Sequence, residues 1–122
     1  MNISNKLNSI LKDYSSGNKE SAYKRFKKIY LKNNKNIKLR YNLAVMQQEL
    51  GLLDEAESNY ISLIKNSEEL KYKINLYNIY ITRGLYQKAL DLINSIQSTN
   101  LTLIQVNQDK ARILYLLKNY DE

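Results

Sequence analysis

The chain has 122 residues and contains no Cys, His, Trp or Pro. This composition excludes disulfides, zinc sites built on Cys or His, and mechanisms that use a thiol or an imidazole. A hydrophobic fraction of 43% is ordinary for a soluble folded protein, and the apolar runs are too short to span a membrane. The formal charge is +7. The opening segment MNISNKLNSILKDY lacks the apolar core of a signal peptide, so we expect a cytoplasmic protein.

The scarce small residues reveal an internal repeat. The three glycines are Gly17, Gly51 and Gly84, spaced 34 and 33 residues apart. Five residues after each glycine stands an alanine: Ala22, Ala56 and Ala89. A shared period near 34 residues predicts an array of similar structural units rather than a single irregular fold.

Each repeat is predicted to be a pair of helices. Apolar residues are spaced three and four apart, as Leu39, Leu43 and Met46 are before Gly51, and this is the helical period. We expect a helix of about 13 residues, a tight turn at the glycine, and a second helix of similar length. In chain order the repeats cover about 3–36, 37–69 and 70–103, and a final helix covers about 102–118. The expected helix stops are Asn33-Asn34-Lys35-Asn36, Asn66-Ser67 and Ser98-Thr99-Asn100.

The central repeat carries a family resemblance. Its residues Tyr41-Asn42-Leu43-Ala44, Gly51, Asp54-Glu55-Ala56 and Tyr60 resemble a tetratricopeptide repeat. The resemblance implies an all-α, right-handed superhelical solenoid of antiparallel helix pairs, with about seven helices in one domain. The chain departs from the family at Ile10 and Tyr77, which replace the small residue of the first helix, and in having no proline after the second helix. The final helix is expected to be either a terminal cap or, slightly favoured, the start of a fourth repeat in a longer protein.

The same resemblance implies a concave groove lined by the first helix of each repeat. The residues predicted to line it are Tyr41, Asn42, Val45, Gln48, Lys71, Ile74, Asn75, Asn78 and Ile81. Further positions fall on Leu7, Leu11, Tyr14, Lys38, Glu49, Gln105, Arg112 and Tyr115. Aromatic, aliphatic and amide groups together suit a peptide or helix of a partner protein, although Leu7, Leu11 and Ile81 could instead pack between helices. Only Asn42 and Lys71 match the carboxylate clamp of some family members, which argues against that clamp here.

The charge is concentrated in the first repeat. Residues 1–36 hold nine cations and two anions, whereas residues 37–122 hold ten of each. The proposed basic patch is Lys24, Arg25, Lys27, Lys28 and Lys32, interleaved with Tyr23 and Tyr30. Such a patch could bind an acidic partner, a nucleic acid or lipid headgroups. It could also be a solvated helix face, or the product of codon drift toward Lys and Asn.

The sequence offers no catalytic motif. It contains no phosphate-binding glycine loop, and Asp54, Glu55 and Glu57 are explained by a helix N-terminus, where carboxylates are favoured. We therefore expect no enzyme, no cofactor and no metal, but a protein-interaction module that serves as a scaffold or adaptor. Self-association through the final helix is an alternative. Single-stranded RNA is a minor one, because the helical repeats that read RNA usually have a period of 35.

Overall fold

The computed structural model describes residues 3–96 and 103–120, and within these ranges it contains seven helices and no strand. The prediction of an all-α fold is confirmed. The helices are α1 (Ile3–Ser15), α2 (Lys19–Lys32), α3 (Ile37–Glu49), α4 (Leu53–Asn66), α5 (Leu70–Thr82), α6 (Tyr86–Asn94) and α7 (Leu103–Tyr120). No helix in the described part of the chain is long and apolar enough to cross a membrane.

The turn inside each predicted helix pair contains the glycine that the sequence places there. Gly17, Gly51 and Gly84 have φ values of 105°, 80° and 74°. At Gly51 a Cβ atom would meet nothing within 4 Å, so the backbone conformation, not crowding, is what favours glycine. The predicted left-handed turn after the first helix is therefore present in all three pairs.

Asparagine side chains mark the boundary between α2 and α3, as the sequence predicts. The Asn33 side chain donates to the carbonyl of Ile29 (2.9 Å), and the Asn36 side chain accepts the backbone N–H of Leu39 (3.1 Å). Asn66 is the last residue of α4. The stop predicted at Ser98-Thr99-Asn100 lies outside the described residues.

Helix α6 is shorter than predicted. It has nine residues rather than about 13, and it ends at Asn94. The next two residues form hydrogen bonds to the carbonyl three residues before them, as in a 3₁₀ turn. Ser95 N–H donates to the Leu92 carbonyl (3.1 Å), and Ile96 N–H donates to the Ile93 carbonyl (3.0 Å). The nearly buried Lys73 of α5 places its Nζ 3.5 Å from Ser95 Oγ, where a cation is favoured by the helix C-terminus.

The chain divides into two compact units, and the division falls inside α4. In unit 1 (Met1–Asn59), α1 packs on α2 and α2 packs on α3. Its core consists of Ile10, Ala22, Tyr23, Phe26, Tyr30, Leu39, Leu43 and Met46. Ile10 replaces a small residue of the repeat pattern and belongs to this core.

In unit 2 (Tyr60–Glu122), α6 packs on both α5 and α7. Its buried apolar residues are Tyr60, Leu63, Tyr72, Leu76, Tyr77, Ile79, Tyr80, Ala89, Ile93, Val106 and Ile113. Ile113 of α7 is buried, whereas the adjacent Leu114 is 47% exposed. Ala111, the α7 counterpart of the buried Ala44, is exposed as well.

Candidate partner-binding surface

One face of α3 carries the groove residues predicted for the second repeat. These residues are Tyr41, Asn42, Val45 and Gln48. Tyr41, Val45 and Gln48 are spaced four and three residues apart, so they lie on one side of the helix, turned away from the buried Leu39, Leu43 and Met46. Asn42 is exposed and the other three are half-buried. The face thus offers partly accessible aromatic, aliphatic and amide groups.

The corresponding face of α5 holds the groove residues predicted for the third repeat. They are Lys71, Ile74, Asn75, Asn78 and Ile81. Lys71 is exposed and the other four are half-buried. The Lys71 ammonium lies 3.4 Å from a Glu69 carboxylate oxygen and 5.7 Å from the centre of the Tyr72 ring, so Glu69 offsets part of its charge.

On unit 1 a hydrogen bond joins two of the further groove positions. The Tyr14 hydroxyl of α1 donates to Glu49 Oε1 of α3 (3.0 Å), and Lys19 lies 5.5 Å from the centre of the Tyr14 ring. Burial, followed by the hydrogen bond to Glu49 and its negative charge, raises the pKa of Tyr14 to about 12. This bond fixes the C-terminal ends of α1 and α3 to each other. The remaining α1 positions divide, since Leu7 packs on the core and Leu11 is exposed.

A buried polar network includes Gln47, which lies on the buried side of α3. Gln47 is only 2% exposed; it donates to the Tyr23 hydroxyl of α2 (3.0 Å) and accepts from the Asn59 amide of α4 (2.7 Å). Gln47 and Asn59 are not among the residues predicted from the sequence. The available signal was that Gln47 lies four residues after Leu43, on the apolar side of the helix, where a polar group needs a partner.

A second tyrosine links α5 to α7 within unit 2. Tyr77 is fully buried, and its hydroxyl donates to an Asp109 carboxylate oxygen. Burial and this hydrogen bond raise the pKa of Tyr77, while Arg112, 3.8 Å from the other Asp109 oxygen, acts in the opposite direction. Tyr77 replaces a small residue of the repeat pattern, and its hydroxyl contacts the last helix at Asp109. Sequence reasoning did not identify Asp109.

The basic residues of α2 differ from the predicted patch in two respects. Lys24, Arg25, Lys27, Lys28 and Lys32 are all exposed, as a binding patch requires. Arg25, however, forms a salt bridge with Asp13 of α1. The interleaved Tyr23 and Tyr30 are buried, and the Tyr30 hydroxyl accepts from Arg40 Nε (2.8 Å). Neither tyrosine can therefore stack on a nucleobase, which removes the aromatic part of that prediction.

The groove positions that the resemblance places on α7 are all accessible. Gln105, Arg112 and Tyr115 are exposed, and Tyr115 is 66% exposed. In the described part of the chain no three acidic side chains gather in a way that could hold a metal ion.

Comparison with known proteins supports the fold. No protein-family model matches the sequence, and no curated protein matches it. Among solved structures, the chain is similar to the Yersinia enterocolitica type III secretion chaperone SycD, crystallised in complex with a peptide of the translocator YopD. The match has a TM-score of 0.74 at 15% sequence identity and covers 98% of this chain and 95% of SycD. The chain therefore shares its all-helical fold with SycD.

Proposed function

We propose that this chain is a non-catalytic interaction module that binds a peptide or helix of a partner protein through the first helices of its repeats. The α3 face contributes Tyr41, Val45 and Gln48, and the α5 face contributes Ile74, Asn75, Asn78 and Ile81. The module would serve as an adaptor or scaffold in the cytoplasm.

The observation that carries the proposal is that equivalent positions on two first helices are half-buried. Tyr41 and Ile74 are equivalent positions 33 residues apart, as are Val45 and Asn78, and all four are half-buried. Half-buried apolar groups can be covered by side chains of a partner, and neighbouring amides can bond its backbone. Residues that only pack in the core of the chain are instead fully buried, as Leu43 and Leu76 are.

The similarity to SycD gives independent support. That chaperone was crystallised with a peptide of a partner protein, so a fold of this kind can hold a peptide. The identity of 15% carries no information about which peptide this chain would bind.

The test is to capture partners with the purified chain and with a Tyr41→Ala/Asn78→Ala variant, followed by titration of a synthetic peptide from the captured partner. Truncation of two contact residues is expected to weaken peptide binding by about 2 kcal/mol, or roughly thirtyfold. Circular dichroism would establish that the variant remains folded.

The matched control is Tyr86→Ala/Asn94→Ala. It removes the same two residue types from α6, which is the second helix of the third repeat and is not part of the proposed surface. We expect this control to bind the peptide as the unmodified chain does. Equal affinity of the folded α3/α5 variant, or equal loss in the control, would refute the proposed surface.

A further inference from the structure

The first helix pair, α1 and α2, has a small depression lined mainly by lysine and isoleucine at the end opposite the Gly17 turn. It has a volume of about 340 Å³ and is formed by Ile3, Lys6, Lys28, Ile29, Lys32 and Asn33. Ile3 and Lys6 belong to the first two turns of α1, and the other four residues belong to the end of α2 and its cap. The volume is at the small end of the range for ligand sites and suits a few side chains rather than a large ligand.

The charges of the helix pair are separated along its length. The two acidic residues of this pair, Asp13 and Glu20, lie near the Gly17 turn, where Asp13 pairs with Arg25. The depression lies at the opposite end, and no Asp or Glu occurs between residues 21 and 48, a stretch with eight Lys and Arg residues. The positive potential at this end is therefore not offset by any carboxylate on α2 after Glu20 or on α3 before Glu49.

The depression combines this charge with apolar contact area. Ile3 is exposed, and Ile29 is half-buried against the core. The Lys28 and Lys32 side chains leave α2 one turn apart, so their ammonium groups can flank one occupant. The Asn33 amide donates to the Ile29 carbonyl, and the three lysines are the charged groups of the lining.

We propose that this depression, which we call the Lys6/Lys28/Lys32 site, docks an acidic segment of a partner protein, with an aliphatic side chain on Ile3 and Ile29 and carboxylates on the lysines. An acidic peptide that contains aliphatic residues supplies both kinds of group. A nucleic acid would gain charge contacts only, because Tyr23 and Tyr30 are buried and cannot stack on its bases. This surface uses α1 and α2, so it is independent of the α3 and α5 faces proposed above.

The experiment measures binding of a short fluorescein-labelled peptide of alternating Glu and Leu by fluorescence anisotropy. The variant Lys6→Gln/Lys28→Gln/Lys32→Gln is expected to bind about tenfold more weakly, since each exposed ion pair contributes a fraction of a kcal/mol. Binding to the unmodified chain should weaken as salt rises from about 50 to 200 mM. Ile3→Ser, a change at an exposed position, should also weaken binding without unfolding the chain.

The matched control is Lys12→Gln/Lys19→Gln/Lys24→Gln, which removes the same charge from the turn end of the same helix pair. Affinity close to that of the unmodified chain is expected. Equal loss in both triple variants would show a diffuse charge effect and overturn the site. So would a failure to bind the peptide, or a preference for oligouridylate or phosphatidylserine vesicles that depends on Lys6, Lys28 and Lys32. The Tyr41→Ala/Asn78→Ala variant should bind this probe normally, which separates the two proposals.

Discussion

The side chain of Gln47 illustrates how a single residue can connect several helices. Its amide lies inside unit 1 and bonds to Tyr23 of α2 and Asn59 of α4. Every polar side-chain atom buried within the described residues has a hydrogen-bond partner, so this network is satisfied. Such a network is costly to break, because the remaining groups stay buried without a partner.

We predict that Gln47→Leu lowers the free energy of unfolding by about 1–3 kcal/mol, because Tyr23 and Asn59 lose their partner. Denaturant unfolding followed by circular dichroism measures this change. Adding Tyr23→Phe to the variant should restore part of the loss, because it removes one of the two unsatisfied groups. A loss below about 0.5 kcal/mol in the single variant would contradict the network.

At the scale of elements, the first helices of neighbouring repeats are tied by tyrosine–carboxylate hydrogen bonds. Tyr14 joins α1 to α3 through Glu49, and Tyr77 joins α5 to α7 through Asp109. Burial and the nearby carboxylate raise the pKa of both hydroxyls, Tyr14 to about 12. Between the usual tyrosine pKa of 10.0 and this higher value, the unfolded chain loses protons that the folded chain retains.

We predict that the stability contributed by these tyrosines is complete below pH 10 and falls as the pH rises toward about 12, because the proton is bound more tightly in the folded state. Unfolding midpoints in denaturant, measured as the pH is raised from about 9 to about 11, one unit below and above the usual tyrosine pKa, would show the decline. The Tyr14→Phe variant should have a shallower decline, and Tyr115→Phe, at an exposed tyrosine, is the control. The same slope in all three proteins would contradict this assignment.

At the scale of the whole molecule, α7 presents apolar side chains to solvent. Ile104 is 67% exposed, and Leu114 and Tyr115 are also largely accessible. In a helical repeat array each repeat buries apolar side chains against its neighbours, so an exposed apolar face can take part in a further contact. The exposed apolar residues of α7 suit contact with a second copy of the chain, which we expected from the sequence as an alternative function. The single-domain organisation over residues 1–122 stays a prediction.

We predict that the chain self-associates at high concentration and that Leu114→Glu/Tyr115→Glu suppresses this association, because a carboxylate is costly to bury at an apolar contact. Sedimentation or light scattering over a range of protein concentrations reports the mass. Leu31→Glu, at another exposed apolar position on α2, serves as the control and should associate as the unmodified chain does. A mass independent of concentration in the unmodified chain would rule out this prediction.

The sequence by itself determined the helical class, the turns and the solvent-facing side of α3 and α5. These properties depend on interactions within one or two helical turns: the spacing of apolar residues, the positive φ of Gly51 and the capping side chain of Asn36. The helical period alone then sets which residues share a face, as it does for Tyr41 and Val45.

Only the tertiary structure decided which side chains meet across helices. Asp13 reaches Arg25, Tyr77 reaches Asp109, and Lys6 joins Lys28 and Lys32 around one depression. Tertiary contact also buried Tyr23 and Tyr30 and placed Lys73 at the C-terminal end of α6. The physical reason is that such contacts depend on the rotation, spacing and crossing angle of packed helices. These are set by side-chain packing over the whole unit, not by the local sequence.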